Sequence, residues 1–187
     1  PLPPVRSGIA DYCAELIPEL ARFYEMELIS DQTIVDDPWI KANFPIRDIT
    51  WFRHNAHRFD RIVYQFGNSP HHKHMFDLLQ QYPGVVTLHD FFLGHVLAWM
   101  ESVEFEQEMF RSALYESHGY HALMTLAQEG PVAAATRYPC NKPVLDYATG
   151  VVVHSQYALD EAKRWYGPGA CQTLRRIPQI RGVTPRA

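Results

Sequence analysis

A chain of 187 residues with 47% hydrophobic, 13% aromatic and 20% charged side chains carries enough apolar material for one buried core and a trailing segment. Its 17 basic and 21 acidic residues give a formal charge of −4, which excludes the positive field expected of a nucleic-acid binder. No apolar run reaches the roughly 18–20 residues of a membrane-spanning helix, and no basic-then-apolar leader opens the chain, so a soluble, cytoplasmic protein is expected. Cys13, Cys140 and Cys171 are odd in number, far apart and without C-x-x-C spacing, so reduced thiols are expected rather than a disulfide framework or zinc knuckle.

In chain order, Ile9, Tyr12, Cys13, Leu16, Ile17, Leu20 and Ala21 recur with the period of an amphipathic helix. Ser7-Gly8 stands ahead of it as a cap and tight turn, and Pro18 should kink or shorten its last turns. Residues 26–30 read as a short strand, followed by a polar stretch to about residue 50. Arg61–Phe66 is a second strand closed by Gly67-Asn68, and a helix is predicted over 70–81 with Pro70 in its first turn. Val85–His89 is nearly continuous in apolar residues, as suits a strand inside a parallel sheet. Residues 92–128 are helical by composition in two or three pieces. Gly150–Ser155 is another buried strand, and Tyr157–Tyr166 a helix ended by Gly167-Pro168.

Short β-branched strands alternating with helices predict an α/β fold with a Rossmann-like, doubly wound, mainly parallel sheet and helices on both faces. The first helix has no strand ahead of it, so the usual first strand is expected to be missing and its central position empty. From Ala162 onward there are six basic residues and no acidic one, with Pro178 and Pro185 breaking structure. This stretch is either a solvated tail or the start of an interdomain linker.

Several segments carry a family pattern. Leu2–Tyr12 (Leu-Pro-Pro-Val-Arg-Ser-Gly-Ile-Ala-Asp-Tyr) resembles the first loop and helix of bacterial GT-B glycosyltransferases of family 4, also called group 1. Tyr64–His72 is similar to that group's Gly-Asn-x-Pro-x-His segment, and Val86–Leu93 to its buried strand ending in His-Asp. Tyr138-Pro-Cys-Asn141, Val151–Ser155 and Arg176-Ile-Pro178 resemble further stretches in the same order, so the likeness spans nearly the whole chain. It implies residues 1–178 as the N-terminal, acceptor-side domain of a two-domain enzyme, residues 179–187 as the start of the linker, and a C-terminal donor domain outside this sequence. Such enzymes carry their nucleotide-sugar pocket, with an E-x7-E motif, mainly in that other domain. Glu19 with Glu27 and Glu108 with Glu116 have the spacing, but the motif is not assigned to them.

The resemblance implies a retaining transfer of a hexose-type sugar from a nucleotide diphosphate donor to a saccharide or lipid-linked saccharide, as in polysaccharide biosynthesis, with this domain inactive alone. The expected partners are therefore that donor and acceptor. Two other readings keep the fold: a non-catalytic α/β binding or regulatory module, and half of a GT-B sugar-nucleotide 2-epimerase. Ser7-Gly8 at a helix start can bring backbone N–H groups to a diphosphate, with Arg6 adding a charge-assisted contact. His89 ends a strand where open α/β sheets place ligand contacts. In the family its imidazole orients the donor sugar and stabilises developing positive charge, while proton removal from the acceptor is commonly assigned to the leaving phosphate. Asp90 can hold that imidazole or an acceptor hydroxyl. Asn68 and His72 are expected to face the cleft, and His154 with Ser155 to line the same sheet edge.

His71, His72 and His74 form His-His-Lys-His without an accompanying acidic or thiol ligand, so no metal site is assigned, and no cofactor. His54 with His57 and His118 with His121 read as surface or packing residues. Phe91, Phe92, Leu93, Val96, Leu97 and Trp99 read either as core or as a surface lying on the inner face of a bilayer, which would make the protein peripheral to the inner membrane.

Overall fold

The computed structural model describes residues 1–104 and 108–180. They divide into two compact units, residues 1–60 together with 178–180, and Arg61–Ile177. Residues 181–187, most of the expected linker start, lie outside the described residues.

In the first unit, helix α1 (Gly8–Leu20) starts at Ser7, whose Oγ accepts the Ala10 N–H at 3.1 Å. Its apolar face buries Tyr12, Cys13 and Ile17 against Leu2 and Ile40. Pro18 lies inside the helix, which stops two residues later, just short of Ala21 in the apolar pattern. Residues 1–6 form no strand. Leu2 is instead held by the side chain of Gln32, which accepts its N–H and donates to its carbonyl at 2.8 Å. Strands β1 (Leu28–Ile29) and β2 (Ile46–Arg47) pair in parallel, Leu28 opposite Ile46. Helix α2 (Pro38–Asn43), capped by Asp37, falls in the stretch read as merely polar, and α3 (Ile49–Asn55), capped by Asp48, begins at its end.

The second unit is built on four parallel strands, β3 (Val63–Phe66), β4 (Val85–Leu88), β5 (Gly150–Val153) and β6 (Leu174–Arg176), in that spatial order. The chain is thus an α/β protein with a four-stranded parallel sheet, consistent with a Rossmann-like fold. Tyr64, Val86, Val151 and Leu174 stand in register on one buried face, extended by Phe66, Leu88 and Val153. The order advances in one direction, so right-handed crossovers put the connections on one face. Helix α4 (His74–Gln81), preceded by a 3-10 turn at Pro70–His72, is fixed there by Tyr64, whose hydroxyl lies 3.2 Å from the Leu78 carbonyl and 2.8 Å from that of Tyr82. The winding reversal of a doubly wound sheet is not among these four strands. The opposite face is less covered, Gln65 and Val152 being half-buried and Val63 50% exposed.

Between β4 and β5 come α5 (Gly94–Val103), α6 (Met109–His118), α7 (Tyr120–Glu129), α8 (Pro131–Arg137) and α9 (Lys142–Tyr147). Gly94 allows α5 to close on α8, since a Cβ there would lie 2.7 Å from the Ala135 backbone. Phe91, Leu93, Val96 and Leu97 are buried, while Phe92 and Trp99 of the same stretch are half-buried. No helix among the described residues is long and apolar enough to cross a membrane. Asn141 is fully buried, donating to the Phe91 carbonyl and accepting from the Tyr166 hydroxyl at 2.6 Å. Helix α10 (Gln156–Tyr166) leads from β5 to β6.

Candidate functional site

Alternation along a strand places residues i and i+2 on one face. Thr87 and His89, at the end of β4, therefore share the less covered face with Gln65 of β3 and with Val152 and His154 of β5. The His89 N–H continues the ladder to the Phe66 carbonyl at 2.9 Å, and its Nε2–H donates to Gln65 Oε1 at 2.8 Å. The His154 ring lies beside that of His89, centroids 4.9 Å apart at 45°, and its Nδ1–H donates to the Ile177 carbonyl at 2.8 Å.

Burial, and then the neighbouring His154, lower the His89 pKa to about 4. At neutral pH its imidazole is uncharged and turned by Gln65, while the acceptor-hydroxyl alternative for Asp90 stands untouched by this contact. The Asp90 carboxylate accepts the Asn68 backbone N–H at 2.8 Å. Asn68 in turn accepts the Val96 N–H at 2.9 Å, capping α5 from outside the helix.

Asn68, His89, Asp90, His154 and Ser155 line one cavity of about 310 Å³ at the C-terminal ends of the strands. Phe92 and Tyr157 complete part of its wall. Ser155 also caps α10, its Oγ accepting the Ala158 N–H at 3.2 Å.

His72 is not among these residues. Only 1% exposed, it donates from Nδ1 to the Gln65 carbonyl at 2.8 Å, and burial lowers its pKa to about 3. The expectation that it faces the cleft is corrected, and its part here is to brace the strand carrying Gln65. Arg6, Ser7 and Gly8 belong to the first unit. Ser7 spends its hydroxyl on the α1 cap, while Arg6 and Gly8 are exposed. A Cβ at Gly8 would meet nothing within 4 Å, so no contact inside the chain requires glycine there.

Gln65 escaped the sequence reading. Its signal was a polar residue between Tyr64 and Phe66, one face out of step with the buried strand. Among the described residues no cluster of three or more His, Cys, Asp or Glu is arranged to hold a metal. His118 is a packing residue, its ring against Tyr138 and Trp165 and its Nε2 accepting the Cys140 N–H at 3.1 Å. No protein-family model, curated protein or solved structure matches this chain.

Proposed function

We propose that the chain is the acceptor-binding half of a retaining GT-B glycosyltransferase, moving a hexose-type sugar from a nucleotide diphosphate donor to a saccharide or lipid-linked saccharide. The observation that carries this reading is the pairing of His89 with His154 over one cavity at the sheet's C-terminal edge, at positions where the sequence resembles that family. In this reading a neutral His89, fixed by Gln65, orients the donor sugar and stabilises positive charge as it develops. The nucleotide itself is held by a second domain acting with this one.

One observation favours a second reading, a binding module without catalysis: Ser7, Asn68, Asp90 and Ser155 all spend polar atoms on bonds within the chain.

Glycosyl transfer needs phosphate, anomeric carbon and acceptor hydroxyl held together, an orientation worth roughly 7–11 kcal/mol of barrier. A radiolabelled-sugar transfer assay on the full reading frame, its His89→Ala variant and this 187-residue chain tests the proposal. The expected outcome is transfer by the first, turnover lower by roughly 10² or more in the variant, and none by the chain alone. Unimpaired turnover by His89→Ala removes His89 from the mechanism, and transfer by the chain alone overturns the half-enzyme reading.

A further inference from the structure

The cavity at the His89–His154 edge continues along helix α10. Phe92 and Tyr157 line it and also line a second cavity of about 440 Å³, whose far wall is Trp165. Tyr157, Glu161 and Trp165 are spaced i, i+4 and i+8, so one face of α10 lines the second cavity and its first residue, Tyr157, also lines the first. Eight residues of helix span about 12 Å, the length of about two pyranose rings.

The second cavity is built rather than incidental. Trp165 is held edge-on by His118 and Tyr138, with centroids at 4.8 and 5.8 Å, and its Nε1–H donates to Glu161 Oε2 at 2.9 Å. Glu161 is only 8% exposed. At the junction of the two cavities Tyr157 is 59% exposed, although a tyrosine ring ordinarily seeks cover.

The charges there are already balanced. Arg137 forms a two-pronged ion pair with Glu129 at 2.7 and 2.8 Å, and Arg164 pairs with Glu161 at 3.2 Å. An anionic ligand would gain little from the arginines and would meet Glu161. Their N–H groups and the carboxylate nevertheless suit hydroxyls, and the negative faces of aromatic rings suit the C–H face of a sugar.

We propose that this second cavity is a glycan subsite, taking a neutral pyranose residue of the acceptor chain that lies across Tyr157 while its reacting end reaches the His89–His154 cavity. The proposal rests on the acceptor-half reading and names its acceptor class as a neutral oligosaccharide.

The test is a ¹H–¹⁵N titration of the full 187-residue chain with maltotetraose, cellotetraose, mannotetraose and chitotetraose, and with trigalacturonate as the anionic probe. At least one neutral tetrasaccharide is expected to shift the Trp165 indole N–H and the Tyr157 and Arg137 amides. Tyr157→Ala should weaken that binding by about tenfold, the scale of one lost aromatic stack, and Tyr157→Phe should preserve it. The subsite is overturned if no neutral probe shifts these resonances, if trigalacturonate alone does, or if Tyr157→Ala binds like the wild type.

In the transfer assay Tyr157→Ala should raise the acceptor KM more than it changes kcat. Saccharide binding without any transfer by the full reading frame would reject the acceptor-half reading and keep the subsite. Transfer with an unchanged acceptor KM would do the reverse.

Discussion

At Gln65 strand β3 presents a polar side chain between Tyr64 and Phe66, and its Oε1 accepts a hydrogen bond from His89 Nε2–H. An uncharged partner leaves the burial of His89 unopposed, and the ring's pKa falls to about 4. A carboxylate in the same place would favour the imidazolium. Gln65→Glu is therefore expected to raise the His89 pKa by about 1–3 units, read from the ring resonances in an NMR titration. A midpoint that stays near the wild-type value would show that Gln65 orients the ring without controlling its charge. His72 acts at the same point from behind, through the Gln65 carbonyl.

Among elements, the contact of α5 with α8 leaves no room for a side chain at Gly94. A Cβ at Gly94 would sit 2.7 Å from both the Cα and the carbonyl oxygen of Ala135, backbone atoms that cannot rotate away. Gly94→Ala should cost about 1–3 kcal/mol, as overpacking of a close-packed site does, measured by urea unfolding. A cost near zero would mean that the two helices separate freely. Sequence made α5 legible only as part of a stretch helical by composition, and not this contact, because closeness to Ala135 depends on tertiary packing. Longer periodic elements were readable for the same reason α1 was: Tyr12, Cys13 and Ile17 repeat on one face. Helix α2 carried its signals, Asp37 at the cap and Pro38 in the first turn, yet six residues are too few to show a period. In the site, the strand ends at His89 and His154 were legible from apolar runs that stop at a histidine. The duties of Asn68 and Asp90 were not, since each is spent on a backbone N–H brought near only by the fold.

Over the whole molecule, burial leads in lowering three histidines from 6.5: His72 to about 3, His89 to about 4 and His118 to about 4. Between about pH 4 and 6.5 the unfolded chain binds protons at these sites that the folded chain refuses, so stability rises with pH across that window. Their contribution is fully present above pH 6.5 and is lost as pH falls below it. Each histidine adds a slope of at most about 1.4 kcal/mol per pH unit, less where solvent reaches the ring. His118 offers the cleanest separation of charge from packing, because its Nε2 accepts the Cys140 N–H and a glutamine Oε1 can accept it too. Urea midpoints measured at pH 7 and pH 5 should fall less for His118→Gln than for the wild type, since the variant no longer takes up that proton on unfolding. Equal falls would mean that His118 titrates alike in both states, and the acid sensitivity would then belong to His72 and His89.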